Sequence, residues 1–353
     1  MNQPGVLPPI SVGVINYNGA AGGVLGTTLI SILASDYPDL EVIVADDGSN
    51  DGSVAFVRER FPKVKAVTQP NRGPNAARNL ALRHASRDIV FITDNDVELA
   101  PDTLRLLVGT MLAWPSAAVA TPMVLDAVER DRIYSNGVGL HYVCFGIIPL
   151  RHQALPEGLD VTPRRSVCGS GGIMLVRKPV AESLGGFDED FIFGYDDGEF
   201  TYRVSAAGHD VVQVPAARIY HLEKPLRDPR RLRYQTRGRL TLIAKTYAAR
   251  TLALLAPALL VFELAQILFL IAKGAGMEWF RGARMVMERW PAIMEKRRAV
   301  MAAKRRPDNE LLSGGEIYMF PGRVDSSIMM AAKRIMEAFL NAWWGLMKPF
   351  LTK

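Results

Sequence analysis

Residues 89–96 read IVFITDND: a nearly unbroken apolar, β-branched run, Ile89–Thr93, that stops at two carboxylates, Asp94 and Asp96. The run suits a strand covered on both faces, and the acids fall where an open α/β sheet presents its ligands, at the carboxyl ends of its strands. Upstream, Ile10–Ile15, Leu40–Ala45 and Val64–Thr68 share the pattern. Between these four runs lie Val24–Ser35, Asp51–Phe61 and Asn75–Ser86, which have helical spacing and polar starts able to serve as N-caps. This alternation, continuing to Val124, predicts parallel β-α units in an α/β fold. Asp126–Ser166 is mixed and glycine-bearing, and is expected to pack across the sheet.

With 353 residues, 49% of them hydrophobic, the chain has enough apolar content for a large core plus an appended region, which excludes disorder as its main state. A net charge of +6 favours partners bearing phosphates or an anionic lipid surface. Cys144 and Cys168 stand alone, with no CxxC, so neither a disulfide framework nor a zinc cage is expected. Met1–Pro9 has no basic stretch leading into an apolar run, so a cytoplasmic catalytic part is expected.

After His221 the composition changes. Lys224, Arg227, Arg230, Arg231, Arg233, Arg237 and Arg239 face one acid, Asp228, and predict a docking site for something negative. Thr251–Ala272 is apolar apart from Glu263 and Gln266, long enough as a helix to cover roughly 30 Å of hydrocarbon. Lys and Arg crowd both flanks, and Pro257 and Glu263 weaken a lone span, so an in-plane or re-entrant helix fits better than a single span. In Ile328–Phe350, Ile328, Ile335, Phe339, Trp343 and Leu346 recur at helical spacing, with Lys333, Arg334 and Lys348 able to reach lipid phosphates, which predicts an amphipathic anchor. The expected division is a tail over 1–9, a catalytic domain over 10–223, membrane-associated helices over 224–306, and a linker with an amphipathic helix over 307–353.

Asp94 and Asp96 suit Mg²⁺ or Mn²⁺, which accept one or two carboxylates and complete their shell with water and phosphate oxygens. A second constellation, Phe187-Asp188-Glu189 followed by Phe193-Gly194-Tyr195-Asp196-Asp197-Gly198-Glu199 and Arg203, crowds acids beside glycine and aromatic residues so that at least one gains affinity for a proton, the property of a general base. Glu199 and Arg203 are also an i,i+4 pair on a predicted helix.

In this order the motifs resemble the family 2 glycosyltransferases, enzymes with the GT-A nucleotide-sugar-binding fold. VGVINYNG (12–19), with Asn16, looks like the family's first strand and turn, and VIVADDGSNDGS (42–53) like its second, whose acids Asp46 and Asp47 would meet the base and ribose. Asn71-Arg72-Gly73 through Arg78-Asn79 resembles its next donor-side segment, Asp94-Asn95-Asp96 its metal motif, and Gly171-Gly172 and Gly185–Glu189 the stretch before its catalytic acids. The resemblance implies Asp197 as base, with Asp196 and Glu199 holding acceptor or loop geometry. It also implies Arg78 on the nucleotide, His221 as third metal ligand beside Asp94 and Asp96, and inversion by direct displacement. Asp196 and Glu199 reverse the family's usual acids in size, and Gly198 replaces a commonly apolar residue.

The activity so implied takes a sugar from a nucleotide-diphosphate sugar to a hydroxyl acceptor, with Mn²⁺ or Mg²⁺, at the cytoplasmic face of the cell membrane. The apolar second half suggests a lipid-linked acceptor or polysaccharide precursor, with the 227–239 arginines on its phosphates. An inactive relative acting as a membrane scaffold is the alternative. A dinucleotide oxidoreductase lacks its GxGxxG after the first strand, and the acid clusters argue against a nucleic-acid groove.

Overall fold

The computed structural model describes residues 7–169, 172–222, 230–317 and 327–352. Gly171, Lys224, Arg227 and Asp228 lie outside these, as do the side chains of Arg230 and Ile328. The four apolar runs form strands β1 (Ile10–Asn16), β2 (Leu40–Asp46), β3 (Lys65–Thr68) and β4 (Ile89–Asp94), parallel in the order β4-β1-β2-β3. Helices α1 (Val24–Leu33), α2 (Ser53–Arg60) and α3 (Pro74–His84) connect them. Two expectations fail locally. The strand Lys65–Thr68 is the sheet's edge and is half-exposed rather than covered on both faces. The polar N-caps are absent too: Gly23, Gly52 and Gly73 occupy those positions at positive φ, where a side chain is strained.

After β4 the sheet stops being purely parallel. Short β5 (Val97–Leu99) leads into α4 (Thr103–Ala113), and β6 (Ala117–Asp126) is joined by β7 (Ile133–Ser135). A two-stranded hairpin, β8 (Gly139–Leu140) with β9 (Gly146–Ile147), stands apart from the sheet, whose other edge is β10 (Arg164–Ser166). β11 (Met174–Arg177) inserts antiparallel between β4 and β6, and is followed by α5 (Lys178–Ser183) and α6 (Asp196–Ala206). The long β12 (Asp210–His221) runs parallel to β6 and carries His221 to the end of the sheet where Asp94 and Asp96 lie, pairing it with Val97.

One face of the sheet packs on α1 and α4 through Leu25, Leu29, Leu104 and Leu107; the other packs on α3 and α6 through Ala77, Ala81, Phe200 and Val204. The C-terminal part is helical, α7 (Arg230–Thr246), α8 (Ala249–Ala272), α9 (Gly276–Glu288), α10 (Trp290–Ala303), α11 (Asp308–Leu311) and α12 (Ser327–Met347), and a third core lies among α7, α8, α11 and α12. Part of the 126–166 segment belongs to this third core instead of crossing the sheet. Tyr142 stacks on Trp344 at 5.4 Å and donates to the Leu340 carbonyl, while Tyr247 donates to the Tyr142 carbonyl at 3.0 Å. Two tyrosine hydroxyls in an apolar core need such partners, and these fix where the helices dock.

Among the described residues, α8 alone is long and apolar enough to cross a membrane, and only 22% of its most apolar stretch is buried, unlike a core helix. Leu260, Leu264, Leu268 and Ile271 face outward, as do Ile335, Phe339 and Leu346 of α12. The acid Glu263 turns inward, paired with the buried Arg239, which also donates to Gln266. The expectation of an exposed basic docking strip is corrected here: Arg237 and Arg239 are buried, Arg233 pairs with Glu278 at 2.6 Å, and Arg231 lies over the Phe193 ring. Lys333 likewise pairs with Glu316 and Glu337.

Candidate active site

Parallel pairing of β1, β2 and β4 brings their carboxyl ends together. Asn95 donates to Asn16 at 2.6 Å, and Asn16 donates to Asp46 at 2.7 Å, so three strand ends are linked by side chains. Asp46 also accepts from the Ser49 backbone and hydroxyl and from Thr68. That fills a carboxylate's acceptor capacity. Asp47 accepts from Gln69 and from the backbone of Arg72 and Gly73, pinning the turn into α3. In this structure the two acids expected on the base and ribose are engaged in holding loops. Arg72 is exposed and reaches Glu189 at 2.6 Å.

The fourth strand ends in Asp94 and Asp96, and His221 Nε2 lies 3.5 Å from Asp96. Burial, with Asp96 and Asp196 nearby, pushes the Asp94 carboxyl up to about 6 against the opposing pull of Arg78 and His221. A carboxylate cluster that holds its charge at such cost has the chemistry of a site completed by a cation. Among the described residues, no three His, Cys, Asp or Glu side chains are grouped closely enough to hold a metal ion by themselves. A hard divalent cation takes one or two carboxylates and fills its shell with waters and phosphate oxygens, a donor set to which the neighbouring Asp94 and Asp96 are chemically suited.

Arg78 is only 3% exposed and stands between the two acid motifs, 2.5 Å from Asp196 and 3.5 Å from Asp94. Burial works against its charge, but Asp196, Asp94 and Asp197 outweigh it and hold the guanidinium protonated. Asn75, one helical turn earlier, accepts from Arg78 and donates to the Asp188 carbonyl. Arg78, implied by the resemblance to hold the nucleotide, is buried here and braces the two acid motifs. Gly172 borders the same spot at φ 66°, where an added Cβ would lie 2.2 Å from Arg78 Nη2 and 3.2 Å from Asp94 Oδ2. Only glycine leaves that space open.

The second acid motif begins α6, where the helix dipole favours negative charge. Tyr195 precedes it in a left-handed conformation, φ 64°, unusual for a residue with a side chain, and its hydroxyl donates to the Cys144 carbonyl at 2.9 Å. Asp197 accepts from the Gly172 backbone at 3.0 Å. Burial first, then the neighbouring Asp196, raises its proton affinity, with Arg78 opposing. That environment suits a proton acceptor. Glu199 is different. It is fully buried and pairs with Arg203 and Lys245 at 2.6 Å each, so of the roles implied for it, loop geometry is the one its position allows.

Sequence reasoning missed Asn75, Lys245 and Lys296. The spacing of Asn75 and Arg78 is a helical i,i+3 signal, but nothing local marks the two lysines, which reach the site from distant helices.

Comparison with known proteins places this geometry in context. Residues 11–185 match the family described as "Glycosyl transferase family 2". An N-acetylglucosaminyl-diphospho-decaprenol L-rhamnosyltransferase of Mycobacterium tuberculosis is 26% identical over 212 residues, covering 54% of this chain and 68% of the relative. The structure of GalNAc-T7 with UDP, GalNAc and Mn²⁺ superimposes with a TM-score of 0.56 at 16% identity, over 73% of this chain and 52% of that one. The mannosyltransferase PcManGT of Pyrobaculum calidifontis, in complex with GDP-Man and Mn²⁺, gives 0.52 at 22% identity, over 85% and 87%. At these identities the structural likeness establishes the fold.

Proposed function

From the premise that this chain is a glycosyltransferase belonging to glycosyl transferase family 2, with a GT-A sheet, we propose that it moves a sugar from a nucleotide-diphosphate donor to a lipid-linked hydroxyl acceptor at a membrane surface. The observation that carries this reading is the buried Arg78, which joins the Asp94 and Asp196 motifs into one site at the carboxyl ends of the strands.

Asp94, Asp96 and His221 would hold Mn²⁺ or Mg²⁺, which supplies neutralising charge for the diphosphate as it leaves. Asp197 takes the proton from the acceptor hydroxyl, a task its raised proton affinity favours, and the sugar transfers with inversion in a single displacement. Asp196, bonded to Arg78 at 2.5 Å, anchors the start of the helix that carries Asp197. Arg72, at the rim with its guanidinium exposed, remains available to the donor.

The acceptor class is supported by the mycobacterial relative, whose name gives a diphospho-decaprenol substrate, and by the outward apolar rows of α8 and α12. Glu263 supports an in-plane placement. It meets Arg239 midway along α8, so a spanning α8 would drag the arginine-rich α7 into hydrocarbon. An in-plane helix keeps the pair at the protein side. Basic residues at both ends, Arg250 and Lys273, fit the cytoplasmic face.

Titration with a panel of nucleoside diphosphates, each with Mn²⁺, Mg²⁺ or chelator, tests the reading. Metal-dependent binding of one nucleotide, lost in Asp96→Ala, is expected; absence of binding by every nucleotide would overturn it.

A further inference from the structure

The catalytic acids are approached from behind by cations that belong to the C-terminal helices. Lys245 of α7 is 3% exposed and its Nζ contacts both Asp188 and Glu199. These acids flank the 189–198 loop: one just before it, the other in the first turn of α6, two residues after Asp197. Lys296 of α10 reaches Asp188 as well, and Asp190 at 2.8 Å; Arg289 adds a contact to Asp190 at 3.0 Å. The acids of the loop are thus neutralised mostly from outside the sheet. Asp188 is held far below the usual carboxylate range by Lys245 and Lys296 despite its burial. α7 also presses on the turn itself, since a Cβ at Gly238 would lie 3.1 Å from the Tyr195 ring and 3.2 Å from the Gly194 carbonyl.

We propose that Lys245 is a positioning residue for transfer: by bonding Asp188 and Glu199 at once, it closes the loop that carries Asp196 and Asp197 and sets where the base stands. It touches no reacting atom. The inference rests on the role of Asp197 proposed above, and it separates two functions within one site: the donor end, built on β1, β2 and β4, does not depend on Lys245, whereas the acid loop does. Displacement of a base by about 1 Å suffices to slow transfer about 100-fold.

The test compares wild type with Lys245→Met in the full-length protein in detergent, reading kcat and donor KM for transfer, Mn²⁺-dependent affinity for the nucleoside diphosphate, and hydrogen exchange of segment 187–199. The expected result is a loss of about 10- to 100-fold in kcat, unchanged donor KM and nucleotide affinity, and faster exchange confined to 187–199. Equal kcat in both proteins, or exchange that accelerates throughout the chain with kcat and affinity falling together, would overturn it. Lys296→Met, at a side chain 39% exposed, serves where Lys245→Met fails to fold, and is expected to shift kcat and exchange in the same direction by a smaller factor. A wild type that binds no nucleotide would overturn the glycosyl-transfer reading instead, and the exchange of 187–199 then decides the tether by itself.

Discussion

Arg78 donates to Asp196 at 2.5 Å from a side chain that is 3% exposed, while its other nitrogen faces Asp94. Buried pairs of this kind contribute little net stability while intact, but removing one partner strands the other's charge. Arg78→Met is therefore expected to destabilise the protein by about 3–5 kcal/mol and to abolish transfer, measured by chemical denaturation and by sugar release from the donor. Arg78→Lys keeps the charge but not the two-sided reach, and is expected to recover stability more than activity.

Asp197→Asn should leave the fold and metal-dependent nucleotide binding intact while lowering transfer by about 100- to 10,000-fold, the usual contribution of a positioned base. In the wild type, transfer is expected to rise with pH through an apparent pKa above the ordinary carboxylate range, because burial and Asp196 favour the protonated form that cannot act as base. A rate profile over pH 4–8 checks both the direction and the disappearance of that limb in the variant.

Away from the site, Asp210 accepts from Trp114 and Ser116 and pairs with Arg165 and Arg306. Burial opposes its charge, but these partners bring its folded value down to about 2, below the ordinary 3.8. The unfolded chain therefore binds this proton more readily, so the stabilisation is complete above pH 4 and is lost as pH falls towards 2. Asp210→Asn should cost about 2 kcal/mol at pH 7 and flatten the acid limb of denaturation followed by circular dichroism.

Leu264 and Leu268 face outward at 62% and 67% exposure. The double change to Glu is expected to leave the melting temperature within about 2 °C, as surface substitutions do, while reducing cosedimentation with anionic lipid vesicles about tenfold or more. Retention on vesicles equal to wild type would remove α8 from the membrane face.

The sheet was legible because β1, β2 and β4 are covered on both faces and so must be apolar along their whole length. The four-residue edge strand was located on the same evidence, though its half-exposure was not foreseen. Helix caps were misread because glycines at positive φ occupy the N-cap positions, with Asp51 bonding the first N–H of α2 from one residue further out. Asp94, Asp96 and Asp197 stand in contiguous motifs, and the structure brings those motifs together around Arg78. The burial of Arg78, Arg237 and Arg239 was not legible for one reason: a basic residue looks the same in sequence whether it faces solvent or an acid a hundred residues away. Lys245 and Glu263 make the same point in reverse, since their partners define them and those partners are remote.

The cations that meet Asp188, Asp190 and Glu199 have a practical bearing on how this protein can be handled. A soluble fragment ending near residue 223 would keep every strand of the sheet, yet it would remove Lys245, Lys296 and Arg289 and leave those acids facing one another. Glu199 would retain Arg203, but Asp188 would lose both lysines that pair with it. Truncation for crystallisation or expression should therefore keep the chain at least through α10, and solubility is better sought by recolouring the outward face of α8 than by cutting it away.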